Sequence, residues 1–391
     1  MRKAWAEPLS ALVDRKVRMD KYDVVVVGGG IAGSVAARFL AERGLRTLLL
    51  EKHKTPRNKA CSGIQFMYLE RLVGEKIPRA ALCRNALCRV EMVTPNGKAI
   101  TGRITMLNFW RSTFDSWLNS VAVRKGAEFH DETSLLDLRQ EAGRVTLRVG
   151  GTAGEKEITT RYLIGADGMS SAIRKKLRPE HFGNRPSGAT VNYYFKSDTK
   201  LDPSTLYMFY NSQFSPLMFA WVYKKDDWWI VGTGADKDLL KHAERFLKYV
   251  EDRYSFRGEL VRKEGFSTPM EPSIYLGDGN VLLAGDAAGL VDMYRGLGMD
   301  NAALSARFAV KAVIDATMSG RPAIGFYDRL MSGMVNKMHR NEKRQAARYA
   351  TEEALQKSLS TPNMIKDGIL MLAAIQLDRW LPPERTVTLP L

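Results

Sequence analysis

Residues Tyr22 to Glu51 read YDVVVVGGGIAGSVAARFLAERGLRTLLLE. The run Val24-Val25-Val26-Val27 is β-branched and bounded by glycine, as a parallel strand buried on both faces would be. Gly28, Gly30 and Gly33 follow with GxGxxG spacing at the mouth of a predicted helix. The first glycine permits the tight turn, the second lets backbone approach a pyrophosphate, and the third lets helix pack on strand. The helix is expected from Ile31 to about Arg43 with Gly44 past its end. Thr47 to Leu50 form the next strand, and Glu51 at its tip is placed to accept hydrogen bonds from a ribose. A lone GxGxxG also occurs in ordinary turns. Here strand, glycines, helix, strand and acid fall in register within one βαβ unit, which points to a dinucleotide. The glycines alone do not separate FAD from NAD.

The 391 residues are enough for roughly two or three domains. Lys+Arg number 59 against 43 Asp+Glu, a net charge of +16 that favours anionic partners. No nucleic-acid module and no basic stretch interleaved with stacking aromatics accompanies that charge, so no nucleic-acid partner is expected. Cys61, Cys83 and Cys88 suit a reducing compartment, hence a cytoplasmic location, and lack the spacing of a metal site. No metal is expected. No apolar run reaches the roughly 18 residues of a membrane span. Residues 1–19 lack an apolar secretion segment and are predicted to be a flexible extension.

After Glu51 the loop KHKTPRNKACSGI is polar and basic, and Lys52, Lys54, Arg57 and Lys59 can face phosphate or solvent. A helix is predicted from Arg111 to about Lys125 with Ser112 as its N-cap. Tyr162 to Ile164 is a second buried strand, entering the turn Gly165-Ala166-Asp167-Gly168. Between Val191 and Gly234 four segments alternate aromatic and polar positions, as half-buried antiparallel strands do. Val281 to Leu283 is a third buried strand leading to Gly285-Asp286, and the chain from Arg321 is mostly helical. The expected fold class is α/β, a Rossmann-like FAD-binding domain (20–183 and 265–320) with an inserted antiparallel-sheet substrate domain (184–264) and a C-terminal helical region (321–391).

Four motifs carry a resemblance. The GxGxxG unit with Glu51, the Arg111-to-Asp115 stretch, Gly165-Ala166-Asp167-Gly168 and Gly285-Asp286-Ala287-Ala288 occur in the order found in FAD-dependent oxidoreductases of the glutathione-reductase-like, p-hydroxybenzoate-hydroxylase-like class. Within it the chain resembles the geranylgeranyl reductase family. Lys59-Ala60-Cys61-Ser62-Gly63 is similar to that family's Lys-x-Cys-Gly-Gly turn, with Ser62 replacing a glycine. Pro216 to Lys225 is similar to its Tyr-x-Trp-x-Phe-Pro-Lys segment, with Lys224 where proline is usual. Met293 and Leu297 also depart, standing where the family has proline and glutamate.

The resemblance implies FAD, held by Gly28, Gly30, Ala32, Gly33, Glu51, Lys52, Lys59, Arg111, Asp167, Gly168, Gly285, Asp286, Gly298 and Met299. It implies reduction of double bonds in an isoprenoid lipid, with Cys61 near the flavin as acid, thiolate or packing group. Phe219, Trp221 and Tyr223 alternate along one strand and would line the substrate channel or, equally, a plain sheet core. The electron donor would be NAD(P)H or a ferredoxin-like protein. An FAD-dependent monooxygenase or halogenase shares every FAD motif, and a prenyl-lipid carrier shares the architecture. An intact Glu51 and Asp286 speak against the carrier. Lys337, Arg340, Arg344 and Arg348 share one predicted helical face, followed by an apolar run from Met364 to Trp380. Both would suit an anionic membrane surface, or a solvated face and an ordinary helix.

Overall fold

A computed structural model describes residues 21–360 except 142, 153, 183–186 and 270–272, together with 362, 363, 366, 369 and 373. The expectations for residues 1–19 and for most of the run from Met364 to Trp380 lie outside the described residues. The chain opens with β1 (Val24–Val27), α1 (Ile31–Glu42), β2 (Thr47–Leu50), β3 (Ile64–Phe66), α2 (Leu69–Val73), β4 (Leu87–Val93), β5 (Ala99–Asn108) and α3 (Arg111–Arg124). It continues through β6 (Glu128–His130), β7 (Thr133–Glu141), β8 (Arg144–Gly151), β9 (Gly154–Thr160), β10 (Tyr162–Gly165), α4 (Ala172–Leu177), β11 (Ser187–Lys196), β12 (Thr205–Phe209), β13 (Ala220–Lys225) and β14 (Trp228–Ala235). The last described elements are α5 (Leu239–Tyr254), β15 (Glu259–Pro269), β16 (Gly277–Asp278), β17 (Val281–Leu283), α6 (Met299–Ser319), α7 (Ala323–Arg348) and α8 (Glu352–Ser358).

The first sheet has the order β16-β17-β10-β1-β2-β6. Its pairs from β17 to β6 are parallel, with Val24 opposite Thr47 on one side and Tyr162 on the other. Each of the four valines of β1 is buried, which is why that strand carries no alternation. The buried aliphatic faces of α1 and α6 close the core around it, with Val35, Leu40, Ala303 and Leu304 fully enclosed. All the strand-to-turn motifs leave this sheet at the carboxyl ends of β1, β2, β10 and β17, the edge where such sheets take ligands.

The second sheet has eight strands in the order β15-β11-β14-β13-β12-β4-β5-β3. It draws on more of the chain than the 184–264 segment expected for it. β3, β4 and β5 join from residues 64–108, because the edge of β12 is satisfied by pairing with β4. That pair is parallel, with Thr205 opposite Arg89, so the sheet is mixed rather than wholly antiparallel. A three-stranded sheet, β7-β8-β9, is hydrogen-bonded to neither but packs Val145, Leu147 and Val149 into the core of the first.

Two local expectations change. The N-cap of α3 is Trp110, not Ser112, and no side chain caps that end. Pairing in β13 starts only at Ala220, so Phe219 lies one residue before the strand. The basic face of α7 is also divided. Lys337 is buried, whereas Arg348 is half-buried and donates from Nη2 to the Tyr294 hydroxyl at 2.9 Å. Among the described residues no helix is long and apolar enough to cross a membrane.

Candidate active site

The site starts at the carboxyl end of β1. Gly28 has φ +110, and a Cβ there would lie 2.2 Å from the carbonyl oxygen of Ala166. A Cβ on Gly33 would lie 1.8 Å from the carbonyl oxygen of Gly28, so α1 crosses the turn at a distance only glycine permits. Gly30 differs: a Cβ there would meet only the side-chain ends of Arg57, at 3.3 Å, and Arg111, at 3.8 Å. It borders open space. Glu51, at the end of β2, is buried; its Oε2 accepts from Gly29 N at 3.0 Å and Arg57 Nε at 2.9 Å, and Oε1 accepts from His53 N at 3.0 Å.

Arg57 continues a charge chain. Its Nη2 is 3.3 Å from Asp115 Oδ2, and Asp115 takes a two-pronged contact from Arg111, both arms at 2.8 Å. Burial opposes the charge on Arg111, but Asp115 and the facing Cys61 hold it firmly cationic. Cys61 is half-buried, with Sγ accepting from Gly63 N at 3.4 Å and standing 3.9 Å from Met299 Sδ. Lys59 reaches across to Asp286, Nζ to Oδ2 at 3.0 Å. Burial raises the Asp286 carboxyl, but Lys59 and Arg111 outweigh it and leave the group below the ordinary carboxylate value.

Asp167 serves α4 directly, its Oδ2 accepting from Ala172 N at 2.8 Å. Its buried Oδ1 has no partner among the described residues, and burial pushes this carboxyl up. Ala32 packs beneath Gly285, whose added Cβ would lie 3.3 Å from the alanine methyl. Gly298 is the N-cap of α6, and Met299 opens that helix. Lys52 is exposed at the rim.

All these groups except Gly29, Gly33, Gly63, Gly285 and Asp115 line one cavity of about 1510 Å³. From the nucleotide end it runs over one face of the eight-stranded sheet, where Val90, Met92, Ile104, Met106, Leu206 and Met208 make an apolar wall. Phe219, Trp221 and Tyr223 belong to that wall as well. Trp221 is fixed by its indole N–H, which donates to Asn192 Oδ1 at 2.8 Å. Gly232 is its cross-strand partner, and a Cβ there would lie 2.2 Å from the indole nitrogen.

The model of the FAD binding domain family matches residues 21–322. A geranylgeranyl diphosphate reductase of Rhodobacter capsulatus is 31% identical over 317 residues, 78% of this chain and 78% of that protein. A digeranylgeranylglycerophospholipid reductase of Methanothermobacter thermautotrophicus is 30% identical over 343 residues, 83% of this chain and 86% of that protein. The chain belongs to the geranylgeranyl reductase family of FAD-binding proteins. A solved structure agrees in fold: a geranylgeranyl bacteriochlorophyll reductase-like protein of Thermoplasma acidophilum superposes with a TM-score of 0.78 at 22% identity, covering 89% of this chain and 95% of that one.

FAD is the cofactor of this family member, and its residues fit the group. Gly30 leaves room for a pyrophosphate, the buried Glu51 lines the same space at the end of β2, and Asp167 Oδ1, without a partner among the described residues, borders it. Several residues of this reductase fold escaped notice in the sequence. Tyr68 donates to Asp300 Oδ2 at 2.8 Å, and Arg295 binds both Asp300 at 2.9 Å and Asp292 at 2.6 Å. This buried network underlies the loop between Gly285 and Met299. The Asp292–Arg295 spacing was its one local signal; Tyr68 and Asp300, 232 residues apart, left none. Lys225, the last residue of the segment that resembles Tyr-x-Trp-x-Phe-Pro-Lys, ends β13 buried and donates to the Phe109 carbonyl, a burial that the sequence did not announce.

Proposed function

We propose that this chain reduces carbon–carbon double bonds of an isoprenoid lipid. One observation carries this function: the flavin-end groups and a long apolar wall line a single continuous cavity. Hydrocarbon pressed on Met92, Met106, Leu206, Met208 and Trp221 loses contact with water, at roughly 25 cal/mol per Å² of apolar area removed. The relatives named for geranylgeranyl substrates supply the class of lipid. When bound, FAD supplies the hydride that such a reduction requires.

The chain's own residues divide the remaining work. Glu51 and Asp286 would accept hydrogen bonds from the sugar-like hydroxyls of the cofactor, with Gly28 and Gly30 leaving room for its pyrophosphate and the positive end of α6 beside it. Phe219, Trp221 and Tyr223 orient the alkene and exclude water. Cys61, held by Gly63 N–H and Arg111, presents Sγ at the cavity wall, where it can hold or deliver a proton at that atom.

The test is anaerobic incubation of the dithionite-reduced, FAD-loaded protein with geranylgeranyl diphosphate, followed by mass spectrometry. A gain of two hydrogens per turnover without oxygen is expected. Product that forms only with oxygen and carries an added oxygen or halogen would assign the chain to monooxygenase or halogenase chemistry instead.

A further inference from the structure

The cavity has a second end, and its charge is unlike that of the first. There the lining comes from α7, α8 and the residues after them, and it includes Arg344, Arg348, Lys357 and Lys366. None of these four has an ion-pair partner among the described residues. Arg348 lies over the Tyr294 ring at 4.2 Å and Arg344 over the same ring at 5.9 Å. A single tyrosine thus holds two guanidinium groups side by side, with no carboxylate paired to either among the described residues. Asp292 of the cavity lining is bound by Arg295 and Asn341, and Glu352 at the start of α8 accepts from Ser212. Arg348 Nε is moreover enclosed and has no hydrogen-bond partner among the described residues. A guanidinium keeps such a buried, unpaired donor at a penalty unless an acceptor arrives from outside.

The surroundings say what kind of acceptor. Directly beside the cations lies an apolar cluster of Tyr210, Leu355 and Leu359 with Met92, Met208 and Phe219. A free anion would satisfy the arginines but leave that wall wet. An amphiphile with a phosphorylated end satisfies both. We propose that Arg344, Arg348, Lys357 and Lys366 form a head-group site for the phosphate or diphosphate end of the isoprenoid, with the hydrocarbon laid along the sheet towards Cys61. This site rests on the isoprenoid function proposed above and adds to it an anchoring point and a preference for phosphorylated over neutral lipid.

Isothermal titration of the oxidised, FAD-loaded protein tests it, with geranylgeranyl diphosphate, geranylgeraniol and inorganic diphosphate as probes. Wild type is expected to bind the diphosphate lipid more tightly than the alcohol. R348Q combined with K357Q should weaken the diphosphate lipid by about tenfold or more, the loss expected for one charge-assisted contact. Its affinity for geranylgeraniol should stay within about twofold, which also shows that the variant is folded. Equal affinities of wild type for the two lipids, or equal losses for both in the variant, would overturn the head-group site and leave the isoprenoid function standing. Inorganic diphosphate binding as tightly as the lipid would also overturn it, marking a site for free anions. Wild type that binds neither lipid would overturn both proposals.

Discussion

Lys59 Nζ stands 3.0 Å from Asp286 Oδ2, joining two residues 227 apart in sequence. Two residues earlier Arg57 does the same to Glu51, at 2.9 Å. One short loop thus delivers a cation to each of the two acids proposed to hold the sugar portions of FAD. Removing either acid leaves hydroxyls of the bound cofactor unpaired, about 1–3 kcal/mol for each buried group. Glu51→Ala and Asp286→Ala should remain folded by circular dichroism and lose most of their flavin on purification. Full flavin occupancy in both variants would remove this assignment.

The fingerprint glycines should separate by role. A methyl on Gly33 meets backbone at 1.8 Å, whereas a methyl on Gly30 meets only the movable ends of Arg57 and Arg111. Gly33→Ala is therefore expected to fail in folding. Gly30→Ala should fold and take up little FAD, because its methyl projects into the space a pyrophosphate would enter. A soluble Gly33→Ala or a fully yellow Gly30→Ala would contradict the geometry.

Much of this was legible from residues 22–51, where β-branching, glycine spacing, helix pattern and a terminal acid all agree. The second sheet was only half legible. Thr205 pairs with Arg89, and such a distant partnership leaves no local trace in either strand. Lys337 shows the limit of periodicity: spacing put it on a basic face, but nothing in the spacing said that this part of α7 would be buried. The burial of Lys225 was not legible for the same reason, since a charge at a strand end ordinarily signals solvent.

Those two lysines give a pH dependence. Burial lowers each from 10.5 to about 8, Arg295 adding to the effect at Lys337. Between pH 7 and 9 they deprotonate in the folded chain while staying protonated in the unfolded one. The unfolded state then binds more protons, so stability rises with pH, by about 1 kcal/mol per lysine. The buried Cys83 thiol, pushed up from 9.0 to about 11, opposes this from about pH 8 upward, where the unfolded thiol begins to ionise, and below pH 9 its effect is smaller than that of the two lysines together. The urea midpoint of wild type should rise from pH 7 to 9, and Lys225→Met with Lys337→Met should flatten that slope. An unchanged slope in the double variant would show that these lysines do not titrate in the window.

Cys61 is expected to act on turnover and not on flavin content. Its Sγ faces Arg111 and Met299 at the junction of the flavin end and the apolar wall. Cys61→Ala should stay yellow and lower the rate of alkene reduction by about a hundredfold to ten-thousandfold, the loss that goes with a positioned proton donor. An unchanged rate would make it a packing residue.

The most direct measurement of the central claim follows the flavin itself. FAD-loaded protein is reduced with one equivalent of dithionite, kept free of oxygen, and mixed with geranylgeranyl diphosphate in a stopped-flow cell. Oxidised-flavin absorbance should return at a rate that rises with lipid concentration and saturates, while the fully saturated lipid analogue gives no return. Reduced flavin that persists with geranylgeranyl diphosphate and reoxidises only when oxygen is admitted would contradict that claim.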